Sequence, residues 1–120
     1  MSDRLRNFRD YRERMNERLL SDATLTTKRF FNLDTRCYED GALSARTKEM
    51  LGLSASLVLR CDDCIAYHVI RCMELGVTED EVLEIFDVGL IVGGSIVIPH
   101  LRRARELLDE LLDEGAAKPG

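Results

Sequence analysis

Apolar side chains recur at three- and four-residue steps along almost the whole chain, and no stretch follows the two-residue alternation of a half-buried strand. That rhythm confines the chain to an all-α fold, a compact domain of about five or six helices. The first spans residues 4–20, with Leu5, Phe8, Tyr11, Met15 and Leu19 on one face. The second covers residues 23–38, anchored by Leu25, Phe30, Phe31 and Leu33, and Asp40-Gly41 closes it as a turn signal. Ser44 can cap a third helix that runs through Met50, Leu53 and Leu57 towards Arg60. A fourth starts at Cys61 or Asp62 and ends at Gly76, a natural left-handed stop. Thr78 and Glu81 form a capping box that opens a fifth. Gly93-Gly94 allows a bend or a close crossing, and Pro99 suits a kink or the first turn of the last helix. The stripe from Leu101 to Leu112 then runs out into a flexible tail at 115–120.

At 120 residues the chain has room for one domain. A helical chain of this length buries only a modest share of its surface by itself. The runs 57–59 and 88–98 are more apolar than a monomer requires, so a homo-oligomer is expected. No apolar run approaches the roughly 20 residues of a membrane helix, because glycines and Ser95 interrupt the longest candidate. Residues 1–15 lack the apolar centre of a secretory signal. The expectation is a cytoplasmic protein with no membrane partner.

The net charge is -5, and its distribution is uneven. Residues 1–18 hold six arginines against four acids, whereas residues 74–114 hold eleven acids against three arginines. A basic arm can touch phosphate, but the chain as a whole would be repelled by it, and no nucleic-acid partner is expected. The plainer reading is a solvated helix face with intrahelical ion pairs such as Asp10 with Arg14.

Four cysteines stand at positions 37, 61, 64 and 72. In a reducing compartment a close pair points to redox or metal chemistry rather than to a disulfide staple. On a helical wheel Cys61, Cys64, His68 and Cys72 share an arc of roughly 80°. Cys64 and His68 are one turn apart, about 6 Å, whereas Cys61 and Cys72 are about 16 Å apart along the axis. Four ligands strung along one helix cannot converge on one zinc ion, although three of them with Glu49 remain conceivable. The redox reading fits better. A C-x-x-C pair at a helix start meets unpaired amides and the positive end of the dipole, which favours thiolate. His68 can exchange a proton with a cysteine, and a carboxylate can orient that imidazole. Two sulfurs this close can form a disulfide once one is oxidised to a sulfenic acid. The plain alternatives are two buried thiols, a core histidine and an exposed helix carboxylate at Glu49. Cys37 and Cys72 read as structural thiols, and His100 as a surface or interface residue.

Lys48-Glu49 on one helix, Cys61-x-x-Cys64 twelve residues after the glutamate, His68 four beyond, then Gly76-Val77-Thr78-x-x-Glu81 and Gly93-Gly94 make a specific combination. Over roughly residues 41–104 the sequence resembles the alkylhydroperoxidase D-like, or carboxymuconolactone decarboxylase, superfamily. The resemblance implies a helical core over residues 41–114, with residues 1–40 as added N-terminal helices, assembling as trimers or hexamers. It also implies reduction of organic hydroperoxides by thiols, without metal or other cofactor, with an external dithiol as reductant. Carried over by position, Cys64 meets the peroxide, Cys61 resolves it, and Glu49 and His68 relay protons. One position departs from the pattern. The best-studied peroxidases of the superfamily carry a histidine immediately before the second cysteine, and here that residue is Asp63. An adjacent carboxylate disfavours thiolate and removes a proton shuttle. Two other functions are compatible with the pattern. One is lactone decarboxylation by Glu49 and His68, whose enzymes generally lack the cysteine pair. The other is a non-catalytic redox sensor or interaction protein that uses the basic 1–18 arm.

Overall fold

The computed structural model describes the backbone of residues 2–117 and the side chains of residues 2–115. The chain forms six α-helices: α1 Asp3–Ser21, α2 Leu25–Cys37, α3 Ala45–Leu59, α4 Asp62–Glu74, α5 Glu79–Gly93 and α6 Ile98–Ala117, with a 3-10 turn at Ser95–Val97. No strand occurs among the described residues. None of the described helices is long and apolar enough to cross a membrane.

Each of the first five helices opens on a side chain that accepts an amide hydrogen from its first turn: Ser2, Thr24, Ser44, Cys61 and Thr78. Such caps satisfy donors that the helix itself leaves orphaned. At Thr78 the box is complete, because the Glu81 carboxylate also accepts from the Thr78 amide. Arg46 from α3 reaches the same carboxylate, and this ion pair, with the Thr78 bonds, holds Glu81 down to about 2. Gly76 adopts a positive φ of 82° at the expected stop, and Gly94 one of 84° just after α5.

The core is α3, α4, α5 and α6 packed through Leu53, Leu57, Ile65, Val69, Val82, Phe86 and Leu108, with Leu5 of α1 buried among them. Gly89 makes the α3–α5 approach possible. A Cβ there would lie 2.8 Å from Leu57 Cδ1, closer than carbon atoms tolerate.

Four expectations need correction. Leu25, Phe30 and Leu33 do not anchor α2 in the core; no side chain of that helix is buried, and Phe30 is 69% exposed. Cys37, at the end of α2, is exposed as well and so is no buried structural thiol. The tail does not begin at residue 115, because Ala116 and Ala117 are strong helix formers and α6 continues to Ala117; residues 118–120 lie outside the described residues. Asp10 and Arg14 do not pair. The arginines of α1 that form ion pairs across the fold turn instead to α6, Arg4 to Glu106 and Glu110 and Arg9 to Glu114 at 3.3 Å. The uneven charge of the two chain ends is therefore complementary across one helix contact.

Candidate active site

α3 and α4 lie side by side, and each contributes one half of a buried polar pair. Glu49 of α3 is 1% exposed and His68 of α4 is 8% exposed. His68 Nδ1 stands 2.7 Å from Glu49 Oε2. An ionised Glu49 accepts from Nδ1–H, which fixes the tautomer and leaves Nε2 as the acceptor. The second carboxylate oxygen faces Arg71 Nε at 3.7 Å, so the buried charge has a partner on each side.

Two tyrosines flank the imidazole, with Tyr38 centred 5.5 Å away and Tyr67 edge-on at 5.2 Å. Burial, and next the charge of Glu49, push the Tyr38 hydroxyl up, so it stays protonated. Gly52 leaves room for the ring. A Cβ at that position would fall 2.7 Å from His68 Cε1 and 2.8 Å from the Tyr38 hydroxyl.

Arg60 takes a left-handed turn at φ 58° and ends α3, so Cys61 begins a new direction as the N-cap of α4. Its Sγ accepts from the Cys64 amide at 3.3 Å. Cys61 and Cys64 are disulfide-bonded, with Cα atoms 5.2 Å apart, inside the usual range for a disulfide. Cys64 is exposed and lines a cleft of about 220 Å³ with Arg12, Asp34, Asp63, Tyr67 and His68. The sulfur open to solvent therefore shares its cleft with the imidazole that Glu49 orients.

The structure brings Cys61, Cys64, His68 and Glu49 into one region and leaves the other candidates outside it. Cys72 is fully buried, and burial, assisted by Glu49, pushes its thiol up to about 12, so it remains protonated at neutral pH. His100 bonds Asp62 at 2.7 Å on a face that Arg103 shares. Among the described residues no three His, Cys, Asp or Glu side chains are placed to hold a metal ion.

Sequence reasoning passed over Gly52, Tyr38, Tyr67, Arg71 and Arg12. Two of these carried a signal. Gly52 is a glycine inside a helix, a sign of close approach. Arg71 lies three residues after His68, hence on its face of the helix. Arg12 and Tyr38 arrive from distant segments and carried none.

The sequence profile of the family described as "Carboxymuconolactone decarboxylase family" matches residues 24–108. Two crystal structures of the protein TM1620 from Thermotoga maritima share 53% sequence identity with the chain. One superposes with a TM-score of 0.91, covering 93% of this chain and 98% of that one. The other, with a TM-score of 0.88 over 92% and 93%, is described as a protein of the same family for which an involvement in antioxidative response has been suggested. A family member from Legionella pneumophila, lpg0406, is 23% identical and shares the fold, with a TM-score of 0.81 over 91% of this chain and 97% of that one. The uncharacterised protein 4 of the cox locus of Paracoccus denitrificans is 29% identical over 82 residues, 68% of this chain and 74% of its own length. The matched profile spans α2 to α5 and the first half of α6, including α3 and α4 with the buried Glu49–His68 pair and the cysteine motif, and the chain belongs to the carboxymuconolactone decarboxylase family.

Proposed function

We propose that the chain is a thiol-dependent peroxidase that reduces organic hydroperoxides by cycling Cys61 and Cys64 between dithiol and disulfide. The observation that carries this reading is the exposed Cys64, disulfide-linked to Cys61, in one cleft with a histidine held by a buried carboxylate. The Cys64 thiolate attacks the terminal peroxide oxygen, the O–O bond breaks, and the departing alkoxide takes a proton by way of His68 and leaves as the alcohol. Cys64 is then a sulfenic acid. The Cys61 sulfur attacks it, hydroxide leaves and is protonated to water, and the disulfide closes. An external dithiol restores the pair by two thiol–disulfide exchanges. The antioxidative role suggested for the Thermotoga maritima relative supports the same chemistry.

One equivalent of an organic hydroperoxide, added to the metal-free reduced protein, is expected to remove two hydrogens from its mass and to link Cys61 to Cys64. A dithiol reverses the change, and Cys72 stays a free thiol throughout. Unreacted cysteines would overturn the proposal and turn attention to lactone decarboxylation by Glu49 and His68. A single stoichiometric oxidation without repeated turnover would instead fit a redox sensor.

The working form proposed is a cytoplasmic homo-oligomer, a trimer or hexamer. Exposed apolar side chains support it, among them Ile91 at 83%, Leu59 at 76% and Phe30 at 69%. Burying such side chains against a second copy would remove apolar surface from water. A reducing compartment also suits a cysteine pair that must be re-reduced. Light scattering is expected to give a mass at a multiple of 13.7 kDa. A monodisperse 13.7 kDa species at micromolar concentration would exclude the oligomer.

A further inference from the structure

α1 lies outside the residues that the family profile matches, yet it supplies a side chain to the Cys64 cleft. Among the described residues Arg12 is the only arginine or lysine that lines this cleft, and it stands there with two acids, Asp34 and Asp63. It also lines, with Asp63, the neighbouring depression formed by Phe8, Tyr11 and Met15. Its guanidinium carbon sits 4.1 Å from the centre of the Tyr67 ring, and that ring meets His68 edge-on. A cation over an aromatic face is held by the ring quadrupole, and its N–H donors remain free to act in the plane. Among the described residues no carboxylate lies within ion-pair distance of Arg12, although Asp34 and Asp63 share its cleft. Asp63 works in the opposite sense, because a carboxylate beside a thiol opposes ionisation of that thiol.

We propose that Arg12 is a positioning residue that keeps Cys64 in its thiolate form against the negative charge of Asp63. The ionisable groups facing Cys64 are Arg12 from α1, Asp34 from α2, and Asp63, Tyr67 and His68 from α4, with Glu49 of α3 behind the imidazole. Arg12 is the one permanent cation in that set, and Cys64 also sits in the first turn of α4, where the helix dipole adds to its effect. The part Arg12 plays in turnover rests on the peroxidase reading, whereas its effect on the thiol does not.

The test follows the alkylation of Cys64 by iodoacetamide against pH, resolved by peptide mass spectrometry, in a Cys61→Ser background that cannot form the disulfide. Arg12→Gln is expected to raise the midpoint by about one pH unit and to slow alkylation at neutral pH by up to about tenfold. Arg12→Lys keeps most of the original midpoint, and adding Asp63→Asn to Arg12→Gln restores it. An unchanged midpoint in Arg12→Gln would overturn the proposal. So would an equal shift in Arg12→Lys, because packing on Tyr67 rather than charge would then be responsible. Peroxide consumption by the unsubstituted protein is measured separately. If that is absent while the midpoint moves as expected, the peroxidase reading fails and the assignment of Arg12 stands.

Discussion

Cys64→Ser is expected to lower peroxide turnover by at least about a thousandfold, to the level of free thiols in solution. A serine hydroxyl does not ionise near neutral pH and lacks the polarisable sulfur that attacks a peroxide oxygen. Neither free cysteine can replace it: Cys72 is buried and protonated, and Cys37 stands outside the cleft that contains His68. Cys61→Ser gives a different outcome. Cys64 still meets the peroxide, so one equivalent reacts and the protein gains one oxygen as a sulfenic acid, but the cycle stops there. Loss of turnover in both variants, with that oxygen adduct in Cys61→Ser alone, assigns attack and resolution to separate sulfurs. Peroxide consumption undiminished in Cys64→Ser would end the dithiol mechanism. The substitution is also gentle on the fold, because Cys64 is exposed and serine is nearly its size.

The helix boundaries were legible in the sequence because they are set by local chemistry. Ser44, Thr78 and Gly76 each act within a few residues, and each does what its type predicts. The cysteine motif was legible for the same reason, since its spacing lies within one turn of one helix. Contacts between helices were harder to read. The spacing placed His68 near Cys64, but nothing in it paired His68 with Glu49, nineteen residues earlier, because that bond exists only once α3 and α4 pack. The arginines of α1 show the same limit. Periodicity put them on a polar face, and only the fold reveals that α6 carries the acids that meet two of them. The apolar face of α2 was read as core because periodicity reports that a face is greasy, not what covers it. Arg60 offered no warning at all, since a left-handed arginine is uncommon and a glycine is the usual sign of such a stop.

Glu49→Gln should separate catalysis from stability. The amide has almost the shape of the carboxylate and can still accept a hydrogen bond, so His68 Nδ1 keeps a partner 2.7 Å away. Arg71 keeps its bond to Glu74 at 2.8 Å and is partly open to water, so the loss of the charge does not leave it stranded. The expected cost in stability is therefore about 1 kcal/mol. Activity should suffer far more. A carboxylate can only accept, so it holds the proton on Nδ1 and stabilises the imidazolium that forms when Nε2 takes a proton. An amide can donate or accept, so the tautomer is no longer fixed, and it has no charge to offer the imidazolium. Proton transfer of this kind contributes about a hundredfold to ten-thousandfold, and the rate of disulfide formation is expected to fall within that range. Denaturant titration and stopped-flow oxidation of the same preparation measure the two effects independently. A rate within about threefold of the unsubstituted protein would mean that His68 and Glu49 hold α3 against α4 and do no more. A loss of rate that merely follows unfolding would point the same way. A folded protein with a slow sulfur places the buried pair in the chemistry, because its influence on Cys64 then passes through the imidazole rather than through the stability of the fold.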